Sequence, residues 1–138
     1  MIKNINFGNC YIDFTNSKQK KITIDTSKRK KNSIWGFKYF YYGFNSFLQV
    51  KDGIIVSFTV DEKENKTDEE KRRNVIKFDE DGEIVWIVED KYKKITSFQN
   101  IIKENNDIML HCAYSNYKLN PKDGTVEWIS PKKGERPW

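Results

Sequence analysis

The chain has 138 residues, of which 33% are charged and 37% hydrophobic, and its formal net charge is +5. This length predicts one domain over residues 1–138, large enough to build a core without disulfides or metals, and the 14% of aromatic residues excludes a disordered chain. No stretch approaches the roughly 20 apolar residues of a membrane span, and the N-terminus lacks the apolar run of a signal peptide. We therefore expect a folded cytoplasmic protein with no membrane partner.

The first part of the chain predicts two short strands and a basic surface. The segment "YIDFTNSKQKKITID" (11–25) alternates apolar and polar residues, which is typical of strands, and lysine-rich clusters at 17–21 and 27–31 flank its second half. Residues 1–60 hold ten basic against three acidic residues, whereas residues 61–138 hold fifteen against seventeen. The two halves can thus face different partners. The basic clusters are either solvated strand ends or an anion-binding patch.

A strongly aromatic stretch follows. In an extended chain over 34–42, one face carries Trp35, Phe37, Tyr39 and Tyr41. The other face carries Lys38, Phe40 and Tyr42. The first set predicts a core. The second set is compatible with a further core layer, a protein-binding surface, or stacking on nucleic-acid bases.

The rest of the chain predicts strands joined by short turns and one long loop. Strand-like runs are "IIVSFTV", "NVIKFD", "EIVWIVE", "DIMLHCAY", "NYKLN" and "TVEWI". Asp-Gly pairs at 52–53, 81–82 and 123–124 predict tight turns whose glycines adopt positive φ. The long connection "DEKENKTDEEKRRN" (61–74) is hydrophilic, and Thr67 with Glu70 fits a capping box that predicts a helical turn. This connection is either a solvated loop or a recognition loop.

The sequence also contains an internal repeat. "VIKFDEDGEIVWI" (75–87) corresponds to "NYKLNPKDGTVEWI" (116–129), with 42 residues from Gly82 to Gly124 and from Trp86 to Trp128. Each unit predicts four strands in an antiparallel meander, with its tryptophan buried at an equivalent position. The segment 11–25 is a candidate for a third, eroded copy.

The repeat pattern, an aromatic residue, Asp, two residues, Gly, three residues and Trp, resembles the final hairpin of β-propeller blades of the pyrroloquinoline-quinone type, over residues 47–130. The resemblance implies packing positions only, without quinone chemistry. Two clear units fall short of the roughly four to eight blades of a closed propeller. The predicted fold is therefore all-β, an antiparallel meander of propeller-blade-like four-strand units forming an open or curled sheet, barrel or sandwich.

The sequence predicts neither an active site nor a cofactor or metal site. His111 is the only histidine, and Cys112 beside it points to the opposite face of a strand, so the two cannot form a nucleophile and base pair. Cys10 and Cys112 fit neither a disulfide framework nor a metal knuckle. Asp79 and Asp81 beside Gly82 match a hairpin turn and lack the spacing of a calcium loop. We therefore expect a binding protein without enzymatic activity.

In size, composition and degenerate repeat, the chain resembles the small bacterial immunity proteins of contact-dependent growth inhibition systems. The resemblance implies a cognate toxin domain as partner, in some systems a nuclease, whose active site the protein covers. A basic nuclease cleft would be met by carboxylates. The candidate partner-binding residues are Asp61, Glu62, Glu64, Asp68, Glu69, Glu70, Asp79, Glu80 and Asp81. The alternative is a nucleic-acid-binding β module that uses the basic and aromatic 17–44 region.

Overall fold

The computed structural model describes residues 2–7, 10–16, 21–25, 38–65, 67–93, 97–112 and 115–129. Within these ranges it has eleven strands and one short helix: β1 Asn4–Phe7, β2 Cys10–Asp13, β3 Lys21–Asp25, β4 Lys38–Val50, β5 Gly53–Val60, α1 Asp68–Arg72, β6 Val75–Asp79, β7 Ile84–Ile87, β8 Asn100–Glu104, β9 Asp107–His111, β10 Asn116–Leu119 and β11 Val126–Ile129. The predicted all-β class is confirmed, and one of the antiparallel sheets curls into a half-barrel.

The described strands form three antiparallel sheets in which sequence neighbours pair. Strands β3 to β7 form a five-stranded sheet, β8 to β11 form a four-stranded sheet, and β1 pairs with β2. The two predicted four-strand units are therefore present as β4 to β7 and β8 to β11. The proposed third copy at 11–25 is wrong as a hairpin, because β2 pairs with β1 whereas β3 joins the edge of β4.

Two hydrophobic cores lie on opposite sides of the five-stranded sheet. The first packs the β1–β2 hairpin against one face through residues that include Ile5, Ile12 and Val56. The second packs the other face against the four-stranded sheet through residues that include Ile55 and Leu110. Strands β5 and β6 are consequently buried on both faces, which explains the nearly continuous apolar run of β5. In β6 the buried set includes Lys77.

The two repeat tryptophans do not occupy equivalent positions. Trp86 pairs with Lys77, but Trp128 pairs with Tyr117. In the repeat alignment, the counterpart of Tyr117 in the first unit is the residue before Lys77, so the two tryptophans pair one position apart. The cause is a bulge at Val85 that shifts the β6–β7 register and turns Trp86 to the other face of its sheet. Both rings therefore face the same inter-sheet core from opposite sides, with Trp86 buried and Trp128 half-buried.

The turn glycines have different physical roles. Gly82 and Gly124 have φ of 80° and 78°, as predicted. Gly53 was expected to need positive φ, but it is not among the positive-φ residues. At this position a side chain is excluded by space, because a Cβ would clash with the carbonyl oxygen of Phe78 on the neighbouring strand.

One backbone carbonyl joins the two large sheets. Pro121 O accepts hydrogen bonds from Trp86 Nε1 at 2.9 Å and from Lys77 Nζ at 3.3 Å. Lys77 is buried and also forms an ion pair with Asp52 at 2.9 Å. The Trp86 ring packs so closely on the next turn that a Cβ at Gly124 would lie 2.6 Å from it. The first unit is thus fixed onto the turn of the second.

The aromatic stretch divides as its alternation predicts, in the part that the structure describes. Tyr39 and Tyr41 are buried in the first core, and Tyr41 stacks on Phe58 with ring centroids 4.6 Å apart. Lys38 and Tyr42 are exposed, and Phe40 is half-buried. Trp35 and Phe37 lie outside the described residues.

Candidate partner-binding loop

The predicted helical turn is present as α1. Thr67 is its N-cap, and the Thr67 hydroxyl accepts a hydrogen bond from the Glu70 amide at 3.1 Å. Acidic residues fill the first turn and basic residues the last, which matches the helix dipole. None of the α1 residues is buried, so the helix contributes nothing to either core. Its position is held by the residues on both sides of it.

Asn65 attaches the start of this loop to β4. The fully buried Asn65 side chain accepts a hydrogen bond from the Phe40 amide at 3.1 Å and donates to the Phe40 carbonyl, as a neighbouring strand would. It also donates to Asp61 O at 2.9 Å. The Asp61 carboxylate in turn accepts from the Lys63 amide at 3.1 Å and the Glu64 amide at 3.3 Å. This network fixes the first turn of the loop.

Asn74 attaches the other end of the loop to the second unit. Its side chain is fully buried, donates to Phe58 O and Phe98 O at 2.8 Å each, and accepts from the Phe98 amide at 3.0 Å. A single amide group therefore connects β5 with the segment that leads into β8. Because all of these bonds are buried, the loop is fixed where it rejoins the sheet.

Arg73 attaches the C-terminal end of α1 to the aromatic core. Its guanidinium donates to the Tyr39 hydroxyl at 3.1 Å, and its carbonyl accepts from the Tyr41 hydroxyl at 2.7 Å. Arg73 also pairs with Glu69 at 2.8 Å. Burial raises the pKa of Tyr39, although the Arg73 charge opposes this shift, and burial raises the pKa of Tyr41 well above its usual value. Both hydroxyls therefore remain protonated donors or acceptors at neutral pH.

We call residues 61–74 the anchored loop. Its sequence holds six acidic and five basic residues, so its net charge is close to zero. The described side chains nevertheless differ in exposure: Lys71, Arg72 and Arg73 are half-buried. Among the described charged residues of the loop, four acids, Glu62, Glu64, Asp68 and Glu69, and one base, Lys63, are exposed. The outward surface of the loop is therefore more acidic than its sequence suggests.

Two of the predicted partner-binding acids have structural roles. Asp61 is 5% exposed and its carboxylate holds the turn, so its side chain offers little surface to a partner. Asp79 is half-buried, and its carboxylate accepts from the Asp81 amide at 2.9 Å and the Glu83 amide at 3.0 Å. Glu70 is half-buried, whereas Glu80 and Asp81 are exposed.

The anchored loop and the Asp79–Gly82 turn, which both carry predicted partner-binding acids, lie apart. The loop precedes β6 and the turn follows it, so they lie at opposite ends of that strand. Four steps from Val75 to Asp79, at about 3.3 Å each, separate the ends by roughly 13 Å. Glu80 and Asp81 form a second acidic group near Gly53, which pairs with Asp79.

The basic and aromatic surface of the alternative prediction is described in part. Lys21 lies opposite Tyr42 in the β3–β4 pair, with its Nζ 5.8 Å from the ring centroid. Lys38 and Phe40 share this side of β4 with Tyr42. The clusters at 17–20 and 27–31 lie outside the described residues.

His111 and Cys112 lie on opposite sides of their sheet. Cys112 packs against the inter-sheet core, where burial raises the pKa of its thiol to about 12. His111 Nε2 is 3.7 Å from Glu104 Oε1, at a half-exposed position. Within the described ranges, no group of three or more His, Cys, Asp or Glu residues could hold a metal ion, and no helix is long and apolar enough to span a membrane.

Fold and site together define an all-β protein with an anchored, outwardly acidic loop. The chain belongs to the family described as domain of unknown function DUF7957, whose sequence model matches residues 38–130. The matched span begins at β4 and contains both four-strand units and the anchored loop. No curated protein and no solved structure matches the chain.

Proposed function

We propose that this protein is a non-enzymatic, cytoplasmic immunity protein of a bacterial contact-dependent growth inhibition system. It binds a cognate toxin domain, of the nuclease class if the toxin cleft is basic, through the anchored loop and covers the toxin's active site. The observation that carries the proposal is that the loop is firmly attached to the sheet although its helix packs into neither core. The α1 helix buries no residue, yet Asn65, Arg73 and Asn74 hold its loop in place.

Rigid attachment favours tight binding because an ordered loop loses little conformational entropy on association. The exposed carboxylates of Glu62, Glu64 and Asp68 attract a basic cleft at a distance and accelerate the encounter. The half-buried cations Arg72 and Arg73 lie on the side facing residues 88–93. The acids can therefore enter a partner's cleft ahead of these cations.

The test compares two double variants with the same change of charge. Glu64→Gln/Asp68→Asn removes two exposed carboxylates from the anchored loop, whereas Glu80→Gln/Asp81→Asn removes two from the acidic turn at the other end of β6. Each is produced, at matched low level, in cells that make the proposed cognate toxin domain. We expect the parent and the turn variant to protect growth and the loop variant to protect poorly. The loop variant should associate more slowly and with weaker salt dependence.

Equal protection by the two double variants would reject the loop as the contact surface. Failure of the parent protein to protect or to bind the toxin domain would reject the immunity function. Circular dichroism of each variant excludes unfolding as the cause, since exposed carboxylates contribute little to stability.

A nucleic-acid-binding function is the second candidate, because Lys21, Lys38, Phe40 and Tyr42 share one side of the β3–β4 pair. Binding through phosphate contacts and base stacking would weaken steeply with salt. Single-stranded RNA should then bind the parent and lose affinity in Tyr42→Ala and Lys21→Gln. Undetectable binding at low salt would reject this candidate.

A further inference from the structure

A cleft of about 210 Å³ lies between α1 and residues 88–93, which follow β7. Pockets for drug-sized ligands are larger, at about 300–1,000 Å³, so this cleft suits a side chain of a partner better than a separate ligand. Because α1 forms one wall, the cleft borders the surface that the anchored loop presents to a partner. Buried Val88 lines it, and all of its other lining residues are charged: Glu69, Arg72, Arg73, Glu89, Asp90, Lys91 and Lys93.

Three of the four cations at this cleft are without an ion-pair partner in the part of the chain that the structure describes. Arg73 pairs with Glu69 at 2.8 Å. Arg72, Lys91 and Lys93 form no such pair among the described residues. Arg72 is half-buried, whereas both lysines are exposed. These three cations can therefore bind an anion that a partner supplies.

The acids of the cleft do not cancel this positive charge. The Asp90 carboxylate has one buried oxygen, Oδ2, and its Oδ1 accepts from the Tyr92 amide at 2.9 Å. Glu69 is already paired with Arg73, which leaves Glu89 as the exposed acid without an ion-pair partner among the described lining residues. Over all lining residues, four cations stand against three acids, so the net formal charge is +1. The cleft therefore favours a carboxylate over a cation.

A nuclease active site carries complementary charges. It needs cations to hold the phosphate, and it commonly needs carboxylates to bind a metal ion or to move protons. Both signs of charge therefore lie within one small cleft of such an enzyme. On this protein the two signs are also adjacent, because exposed Asp68 and cleft-lining Arg72 are one helical turn apart in α1.

On the basis of the proposed immunity function, we propose that the α1 cleft binds a carboxylate of the toxin's active site, while the exposed acids of the anchored loop bind the toxin's phosphate-binding cations. Arg72 binds the carboxylate through two parallel hydrogen bonds, a geometry that a guanidinium favours, and Lys93 adds an ammonium donor. Two contacts of opposite charge, one helical turn apart, fix the orientation of the partner. They also reject a basic surface that lacks the carboxylate, because the cations of the cleft would then be covered without a partner.

Surface plasmon resonance with the proposed cognate toxin domain tests this contact. Arg72→Gln/Lys93→Gln should bind about tenfold more weakly than the parent, mainly through faster dissociation, because the toxin's carboxylate loses its partners. If these cations merely lie near a basic partner, the same variant relieves repulsion and binds more tightly. Lys51→Gln/Lys103→Gln is the matched control, because both lysines are exposed and neither lines the cleft. The control should dissociate like the parent.

Binding of the cleft variant as tightly as the parent, or more tightly, would overturn this proposal and leave the immunity function standing. Equal weakening in the control would also overturn it, as a general effect of charge. A parent protein that does not bind the toxin domain would reject the immunity function and this contact with it. Arg72→Lys keeps the charge but not the paired geometry, so it should weaken binding less than Arg72→Gln. These single variants, at a half-buried position, decide the question if the double variant fails to fold.

Discussion

Replacing Asn74 by leucine tests whether buried hydrogen bonds hold the anchored loop. Leucine has a similar volume, so the substitution removes polar contacts without opening a large cavity. Three bonds are lost, two to Phe98 and one to Phe58 O. Phe58 O keeps a long contact from Asn45 Nδ2 at 3.4 Å, whereas the Phe98 amide and carbonyl lose these bonds. At about 1–3 kcal/mol for each group left unsatisfied, we expect a loss of about 4 kcal/mol.

That loss is a large part of the roughly 5–15 kcal/mol by which domains are stable. Urea unfolding followed by tryptophan fluorescence measures it, and hydrogen exchange at the Phe98 amide should accelerate in parallel. Asn100→Leu is the control, because Asn100 is exposed on β8, and its stability should change by less than about 0.5 kcal/mol. If Asn74→Leu unfolds within about 1 kcal/mol of the parent, the anchor contributes no more than an ordinary surface bond and the reasoning fails.

Three further outcomes are expected. Gly53→Ala should destabilise the protein strongly in thermal melts, since its Cβ would lie 2.1 Å from the Phe78 carbonyl oxygen. Gly82→Asn should be milder, because asparagine tolerates positive φ and the Cβ would lie 2.9 Å from the Asn6 carbonyl oxygen. Equal melting temperatures for the two variants would contradict the steric argument. The Lys77 hydrogen bond lowers the pKa of Asp52 in the folded protein. The stability that ionised Asp52 contributes is therefore present above the ordinary carboxyl pKa of about 3.9 and is lost as pH falls through the lower pKa of the folded state. Thermal melts across this acid range should show a smaller pH dependence in Asp52→Asn than in the parent. Burial raises the pKa of the Cys112 thiol to about 12. In a Cys10→Ser background, this thiol should therefore react with iodoacetamide at pH 8 only after denaturation. Rapid reaction of the native protein would show that the thiol is accessible.

The sequence predicted the strands and the helix where local chemistry decides them. Apolar runs identified β5 and β6, and Thr67 with Glu70 identified α1. The 42-residue repeat identified two four-strand units, because each unit pairs only with its sequence neighbours. The face of the sheet to which Trp86 points was not predictable in the same way. A bulge adds one residue to a strand without a distinctive sequence, and Val85 looks like any strand residue.

The anchors of the loop were also missed, for a different reason. Asn65 and Asn74 lie in a hydrophilic segment where asparagine is ordinary, and their partners Phe40 and Phe98 are distant in sequence and supply backbone atoms. Nothing in the one-dimensional pattern marks such a pair. The separation of the two acidic groups follows directly from the direction of β6, once that strand is recognised.

The pairing of sequence neighbours has a consequence for synthesis of the chain. Because every sheet pairing among the described strands joins consecutive strands, each strand meets its partner soon after it leaves the ribosome, and domains assemble from the N-terminal end. The strands of the five-stranded sheet leave the ribosome before β8 does. Until the last four strands arrive, Ile55, Val75 and Trp86 form an apolar face on the nascent chain. That interval is the stage at which a chaperone would be most useful and aggregation most damaging.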